Sequence, residues 1–140
     1  MILGTILKMK KINKSDAEWK DILSDSVYTV TRKKGTETPF SGALNTNIDA
    51  GTYYCVCCDN ILFKSAHKFN SGTGWPSFYE VASDTSVQSK IDISLGMSRV
   101  EALCMVCDAH LGHIFDDGPE PTGKRYCINS VSLKFTKKDK

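Results

Sequence analysis

Two cysteine pairs with matching surroundings are the clearest chemical signal in this sequence. The segments Cys55–Leu62 and Cys104–Leu111 each read Cys-x-x-Cys-Asp-x-x-Leu. A Cys-x-x-Cys turn points both sulfurs at one spot, and two such turns that meet form a closed tetrahedral site typical of structural zinc. The sequence therefore predicts one structural Zn²⁺ per chain, held by the four cysteines of the two turns: Cys55, Cys58, Cys104 and Cys107.

Other interpretations of these four cysteines stay open at the level of sequence. They could be reduced core residues or a redox pair, although a redox pair does not explain why the motif occurs twice. Four-sulfur sites also hold iron, so an iron-dependent electron carrier is an alternative. A non-catalytic zinc ribbon that binds nucleic acid or protein is another, but it leaves the remaining reactive side chains without a role.

A fifth cysteine, Cys127, lies in an alternating segment that predicts a strand over Arg125–Phe135. Alternation puts Arg125, Cys127 and Asn129 on one face, which continues into apolar residues. A nearby guanidinium stabilises a thiolate, so the pattern predicts a lowered pKa and a nucleophilic sulfur for Cys127. The alternative is a buried, inert cysteine.

The sixth cysteine, Cys57, has no counterpart in the second turn, where Val106 stands. It is interpreted as a small packing residue or a free thiol.

Two histidines, His110 and His113, directly follow the second cysteine turn. They could be zinc ligands, but the first turn has Ile61 in the place of His110, and two cysteine pairs already complete a site. The imidazoles are then available for acid–base chemistry near neutral pH, or they have a structural role. Asp117 follows in a turn, where aspartate is also common for local reasons.

A glycine-rich turn carries an aromatic side chain at Trp75, within the segment Ser71–Phe78. The spacing does not match a phosphate-binding loop. Trp75 could form one wall of a small apolar pocket or anchor the turn to the core.

The composition describes a single ordinary globular domain. The chain has 140 residues, 41% of them hydrophobic and 24% charged, and a net charge of +2. These values argue against disorder and give little support to nucleic-acid binding. No apolar run is long enough for a membrane span, and no secretory signal is recognisable, so a reducing cytoplasm is expected.

The elements that must position these groups are mostly strands. A capping box at Ser15 and Glu18 predicts a helix over residues 16–24. Residues 25–52 contain many turn signals and are predicted to be an extended wrapping segment. Strands are predicted at four places: Tyr53–Val56, Glu80–Ala82, Val100–Leu103 and Arg125–Phe135. The expected organisation is an N-terminal extension (1–14), one domain with the cysteine turns (15–136) and a basic tail (137–140).

Four motifs resemble the B-type methionine sulfoxide reductases, and the resemblance covers residues 16–135. The motifs are Gly35–Gly42, Ser71–Phe78, Cys107–His113 and Gly123–Ser130. The resemblance implies a mainly β fold, with two small antiparallel sheets, a zinc-binding end and a short N-terminal helix.

The resemblance also implies roles for individual residues. Cys127 matches the nucleophile, and the two histidines match imidazoles that organise the site and assist protonation. Asp117 matches a carboxylate that orients a histidine. The remaining implied residues are polar groups around the thiolate and substrate-binding aromatics: Arg125, Asn129, Trp75 and Phe78.

The implied activity is reduction of methionine-R-sulfoxide, in proteins and small peptides, through a sulfenic acid on Cys127. The expected partners are oxidised proteins as substrates and thioredoxin or a small thiol as reductant, with no nucleic acid or membrane partner and a monomeric state. Many family members carry a resolving cysteine where this chain has Thr73, so a disulfide through that position is excluded. Whether Cys57 substitutes for it stays open.

Overall fold

The N-terminal part of the protein forms two short helices, in a computed structural model that describes residues 11–138. Helix α1 (Asp16–Ile22) begins at the predicted capping box, in which Glu18 N–H donates to Ser15 Oγ at 3.1 Å and Ser15 N–H donates to Glu18 Oε1 at 2.7 Å. Residues 1–10 of the expected N-terminal extension lie outside the described residues.

The second helix corrects the sequence prediction for residues 25–52. Helix α2 (Asp25–Arg32) forms where an extended segment was expected, and Ser24 caps its first turn by accepting from Val27 N–H. Its β-branched residues have low intrinsic helix propensity, but Val30 and Thr31 are buried against the rest of the fold. Tertiary packing therefore decides the helix.

Within residues 11–138, nine antiparallel strands form two sheets, which confirms the predicted mainly β architecture. A three-stranded sheet has the order β2-β1-β9, and a six-stranded sheet has the order β3-β4-β8-β7-β6-β5. The strands are β1 (Gly51–Cys55), β2 (Ile61–Lys64), β3 (Lys68–Phe69), β4 (Ser77–Phe78), β5 (Val87–Asp92), β6 (Arg99–Cys104), β7 (His110–Phe115), β8 (Arg125–Ile128) and β9 (Leu133–Lys137).

Two of the predicted strands differ from the observed ones. The single strand expected over Arg125–Phe135 is divided into β8 and β9, which belong to different sheets, by a 3₁₀ turn at Ser130–Ser132. Residues 80–82 form bends rather than a strand. The other two predictions overlap β1 and β6.

An aromatic cluster joins the two sheets in the core. Phe63 of β2 stacks on Phe78 of β4 with ring centroids 4.2 Å apart, and Tyr53 of β1 meets Phe78 edge-on at 5.0 Å. All three side chains are fully buried. Among residues 11–138, no helix has the length and apolar character that crossing a membrane requires.

Candidate active site and metal centre

The two cysteine turns have the same backbone geometry. In the first, Asp59 N–H donates to Cys55 O at 2.9 Å, and in the second, Asp108 N–H donates to Cys104 O at 2.9 Å. Both aspartates lie in the left-handed region, with φ of 66° and 63°. Because aspartate tolerates this conformation better than most residues, the repeated Cys-x-x-Cys-Asp pattern has a local backbone cause.

The turns bring four sulfur atoms together at one end of the molecule. The Sγ atoms of the four cysteines all lie within 4.8 Å of one another, and those of Cys55 and Cys107 and of Cys58 and Cys104 are each 3.6 Å apart. With zinc–sulfur bonds of about 2.3 Å, a tetrahedral site has sulfurs about 3.8 Å apart. The predicted ligands therefore form a cluster that can hold a metal ion and fits zinc in size and donor type.

Cys57 lies beside this cluster but is not one of its four members. It is half-buried and packs against the part of the core that contains Cys55 and Cys107. No described hydrogen bond joins Cys57 to Cys127 within residues 11–138. Cys57 therefore belongs to the end of the molecule that carries the four-sulfur cluster.

A second group of polar and reactive side chains lies across the middle of the six-stranded sheet. Cys127 of β8 lies directly opposite His113 of β7 on one side and Ser77 of β4 on the other. Glu101 of β6 lies opposite His113 in turn. A cleft of about 100 Å³ opens over this row, and its lining includes Trp75, Asn129 and Phe115 as well as His113 and Cys127.

A β-bulge brings the two histidines to the same face of the sheet. In a regular strand, residues three apart point to opposite faces. The pairing of β6 with β7 shifts register at Leu103, so that Leu111 is the extra residue between His110 and Gly112. The imidazole rings of His110 and His113 are consequently 5.5 Å apart between centroids.

Each histidine is held by a buried carboxylate that the sequence analysis did not identify. His110 Nδ1 is 2.7 Å from Glu101 Oε2, and His113 Nε2 is 2.8 Å from Asp92 Oδ2. The Nζ atom of Lys34 joins the two pairs, at 3.0 Å from Asp92 Oδ1 and 3.4 Å from Glu101 Oε1. A carboxylate on one ring nitrogen fixes the orientation and the tautomer of an imidazole.

The electrostatics of this network follow from burial and pairing. The hydrogen bond to His113 holds the pKa of Asp92 well below its ordinary value, with further help from Ser94 and Lys34. Burial lowers the pKa of His110, although Glu101 opposes this effect. His110 is therefore mainly neutral at pH 7.

Asp117 does not orient a histidine, in contrast to the role implied by the resemblance. Its carboxylate instead forms a two-point pair with Arg125, at 2.8 Å from Nε and 3.2 Å from Nη2. The Arg125 guanidinium also lies over the ring of Phe115, 4.4 Å from its centroid. Asp117 thus orients Arg125 and, through it, the aromatic wall of the cleft.

Phe78 is also placed differently from the expectation that it binds substrate. It is fully buried between Phe63 and Tyr53 and does not line the cleft. Its neighbour Ser77, with the opposite side-chain direction, faces Cys127 across the strand pair. The second aromatic residue of the cleft is Phe115, which strand alternation from His113 could have identified.

Trp75 and Asn129 are anchored by the same residue, Glu37. The Trp75 Nε1–H group donates to Glu37 O at 3.0 Å, and Glu37 N–H donates to Asn129 Oδ1 at 3.0 Å. Asn129 Nδ2 donates to Leu111 O at 3.1 Å, which ties the segment to β7. These bonds position the indole at the cleft and use both polar groups of the Asn129 amide.

The Cys127 thiol differs from the sequence prediction of a lowered pKa. Burial raises its pKa, while Thr73 and Arg125 act in the opposite direction. Thr73 Oγ1 lies 4.0 Å from Cys127 Sγ and belongs to a row of hydroxyl groups with Ser71 and Ser77. In the free protein, the sulfur therefore carries its proton at pH 7 and requires a base to become nucleophilic.

Comparison with known proteins decides the family. A sequence model described as the SelR domain matches residues 23–137. The chain belongs to the SelR family. This membership and the names of the relatives given next confirm the resemblance to the B-type methionine sulfoxide reductases and, with it, the assignment of the chain to the oxidoreductases.

Individual SelR relatives match over nearly the whole chain. The peptide methionine sulfoxide reductase MsrB of Hahella chejuensis is 53% identical over 131 residues, which cover 94% of each chain. The protein of the same name from Methanosarcina mazei is 54% identical and covers 95% of each chain. The mitochondrial methionine-R-sulfoxide reductase B2 of Rattus norvegicus is 50% identical, over 94% of this chain and 79% of its own.

Proposed function

We propose that this SelR protein reduces methionine-R-sulfoxide in proteins and small peptides to methionine, with Cys127 as the nucleophile. The observation that carries the proposal is the direct opposition of Cys127 and His113 in a cleft walled by Trp75. A thiol, a proton carrier and an apolar surface are the three groups that reduction of a methyl sulfoxide requires. The names of the matched relatives agree with this activity.

The first step transfers oxygen from the substrate to Cys127. His113 takes the thiol proton, and the resulting thiolate attacks the sulfoxide sulfur. The same proton passes to the sulfoxide oxygen as a sulfur–sulfur bond forms between Cys127 and the substrate and the sulfur–oxygen bond breaks. The released hydroxide then adds to the Cys127 sulfur, the sulfur–sulfur bond breaks, and methionine leaves a sulfenic acid on Cys127. The substrate sulfur is reduced by two electrons and the Cys127 sulfur is oxidised by two, so the step balances.

The carboxylate of Asp92, which is hydrogen-bonded to His113, supports this proton transfer. Asp92 accepts from Nε2, which leaves Nδ1 available to exchange a proton with Cys127 and the substrate. Among residues 11–138, no hydrogen-bond partner of Nδ1 is found. The negative charge of Asp92 also stabilises the positive charge that His113 carries between the two transfers. His110 is buried and neutral, and its contribution is to pack the His113 ring in place.

The preference for one epimer follows from the separation of two surfaces in the cleft. The substrate methyl group packs against the aromatic wall formed by Trp75 and Phe115, and the oxygen is directed toward His113. In the S epimer, the methyl group and the oxygen exchange places, which puts the oxygen against an apolar wall and leaves it without a proton donor.

The sulfenic acid is returned to a thiol by an external reductant, thioredoxin or a small thiol. One reductant thiol forms a mixed disulfide with Cys127 and releases water, and a second thiol releases Cys127. Thr73 stands where a resolving cysteine would be, and Cys57 lies at the metal-binding end. We therefore propose that Cys57 does not resolve the intermediate.

We further propose that the four-sulfur cluster binds zinc with a structural role. When bound, the ion crosslinks the turn after β1 to the turn after β6, and so joins the two sheets.

The chain is expected to act as a monomer in the cytoplasm, where the reducing environment keeps Cys127 reduced. The domain organisation stays as expected from the sequence, with one catalytic domain over residues 15–136.

Turnover of separated epimers tests the proposed activity. With dithiothreitol as reductant, the blocked R sulfoxide of methionine is expected to be consumed and the S sulfoxide left unchanged. Cys127→Ser should remove turnover, whereas the matched change Cys57→Ser should keep it. Turnover by Cys127→Ser, or a preference for the S epimer, would contradict the proposal.

A reaction without reductant tests the intermediate. Mass spectrometry should find methionine equal to the protein in amount and a sulfenic acid on Cys127. A disulfide between Cys57 and Cys127 would show instead that Cys57 resolves the intermediate.

A further inference from the structure

The cleft above Cys127 is too small to hold more than the end of one side chain. Its volume is about 100 Å³, whereas sites that enclose a whole small molecule measure about 300–1,000 Å³. The backbone and neighbouring residues of a peptide substrate must therefore lie outside it, on the surface next to the Trp75 loop.

A larger groove lies beside the cleft, between the segment 45–49 and strand β3. Its volume is about 390 Å³, and its apolar lining comes mainly from Phe40, Ile48 and Phe69. The Ile48 side chain is 93% exposed and that of Phe40 is 71% exposed. Exposed apolar residues that cluster around a groove are typical of a surface that contacts another molecule.

Strand register links this groove to the sulfur. Phe69 of β3 lies opposite Ser77 of β4, and Ser77 lies opposite Cys127 of β8. Residues opposite one another in a sheet share a face, so Phe69 and Cys127 have the same side-chain direction. Two strand spacings separate them by about 10 Å, which an extended chain covers in about three residues.

Phe40 lies where the groove and the Trp75 loop meet. Its backbone N–H donates to Gly74 O at 2.7 Å, and a Cβ atom placed on Gly74 would come within 2.8 Å of the Phe40 ring. Phe40 has a φ of 66°, an uncommon conformation for a bulky residue, and yet its ring is not buried. Strained backbone with an exposed aromatic ring beside a reactive group is a feature of functional surfaces.

We propose that this groove binds the extended polypeptide that flanks an oxidised methionine, and that it accepts an apolar side chain about three residues away from the sulfoxide. The inference rests on the proposed function, because it takes Cys127 as the point that the sulfoxide reaches. Strand β3 is at the edge of the six-stranded sheet, and within residues 11–138 its outer side pairs with no strand. An extended peptide can lie along such an edge while its side chains enter the adjoining groove.

Paired peptides of matched length test this inference. Each carries the oxidised or reduced methionine at its centre and either leucine or serine about three residues to both sides. The methionine forms do not react, so fluorescence anisotropy gives their dissociation constants on the intact wild-type protein. Because partial burial of one apolar side chain is involved, the leucine peptide should bind about threefold to tenfold more tightly than the serine peptide.

Variants locate the source of this preference. Ile48→Asn and Phe40→Asn should each remove most of the preference for leucine; asparagine tolerates the left-handed backbone at residue 40. Ile22→Asn alters an exposed isoleucine of α1, outside the groove, and should keep the preference. Equal binding of the two peptides by the wild-type protein, or a preference that persists in both groove variants, would overturn the inference.

The same preparations separate this inference from the proposed function. Turnover of the blocked R sulfoxide, which is too short to reach the groove, reports on the reductase activity alone. Equal binding of the leucine and serine peptides by the wild-type protein, with that turnover intact, overturns the groove inference but not the activity. Failure of the wild-type protein to turn over the blocked sulfoxide overturns the proposed activity. The dissociation constants of the two peptides still show whether the groove prefers the apolar side chain.

Discussion

Cys127 and His113 lie directly opposite each other on neighbouring strands of one sheet. The sheet therefore fixes the separation of the proposed nucleophile, Cys127, and the proposed proton carrier, His113. Sites built on strands are more rigid than sites built on loops, and this rigidity suits the proposed reaction, in which one proton moves twice.

The His113→Gln change tests the proton carrier. Glutamine can still donate to Asp92 but cannot transfer a proton at neutral pH, so we expect kcat for the R sulfoxide to fall by about 10²–10⁴. Steady-state kinetics provide the measurement. His67→Gln is the matched control, because His67 packs on Tyr79 away from the cleft. A kcat for His113→Gln close to that of the control would argue against proton transfer by His113.

The bridging cation Lys34 provides a second test. Its ammonium contacts the two carboxylates that hold His110 and His113, so its loss leaves Asp92 and Glu101 without their common counterion. Lys34→Asn keeps a residue that tolerates the φ of 60° and removes the charge. Because the ammonium is partly exposed, we expect a modest effect, a fall in kcat of about threefold to tenfold with little change in KM.

Lys33→Asn is the control for the Lys34 change. Lys33 contacts Asp16 on the surface, 3.5 Å from its carboxylate, and touches neither histidine nor its partners. The kcat of the Lys33→Asn variant should equal that of the wild-type protein. If both variants lose activity alike, the effect is not specific to the bridge between the carboxylates.

The Thr73 hydroxyl should tune the Cys127 thiol. Burial raises the pKa of Cys127 and the bond from Thr73 opposes that rise, so Thr73→Ala should raise the pKa further. A higher pKa means less thiolate at a given pH, and the alkylation of Cys127 by iodoacetamide should therefore shift to more alkaline pH. Peptide mapping by mass spectrometry separates Cys127 from the other cysteines.

Thr73→Ser provides the matched comparison, since it keeps the hydroxyl and removes only a methyl group. Its alkylation profile should follow that of the wild-type protein. A profile for Thr73→Ala that does not move, or that moves to lower pH, would contradict the assigned direction.

The metal centre can be tested with two cysteines from the same turn. Cys58→Ser removes one of the four clustered sulfurs, and we expect loss of bound zinc together with loss of soluble protein or a strong fall in melting temperature, because structural zinc contributes much of the stability of small domains. Cys57→Ser leaves the four sulfurs in place and should retain one zinc ion. Metal analysis and thermal unfolding provide the measurements. Full zinc content in Cys58→Ser would refute this ligand assignment.

Local features of the chain were predictable because their causes are local. The repeated Cys-x-x-Cys-Asp turns, the capping box at Ser15 and the strand at Cys127 each depend on residues within a few positions of one another. The duplication also identified the four clustered sulfurs and left Cys57 outside the set. Family motifs then indicated the fold, which is confirmed, and implied roles for the cleft residues, which stay predictions.

The partners of those cleft residues were not predictable, because long-range packing selects them. Asp92 lies 21 residues before His113 in sequence, and Lys34 reaches both carboxylates from a segment for which the sequence predicted no site residue. Asp117 has the right residue type to hold a histidine, yet it pairs with Arg125. Opposite charges attract whichever partner the fold brings near, and neighbouring sequence does not encode that choice.

The sequence by itself therefore determined which residue types are available, the two cysteine turns and the family. Only the tertiary structure decided which side of the sheet each group faces. The His-x-x-His spacing alone would place His110 and His113 on opposite faces of a strand, and the bulge at Leu111 puts them on one. Phe78 was expected at the cleft and is buried in the core, because the pairing of β4 with β8 directs Ser77, and not Phe78, toward Cys127. Side-chain direction in a sheet depends on register, and register is set by contacts between strands that are distant in the chain.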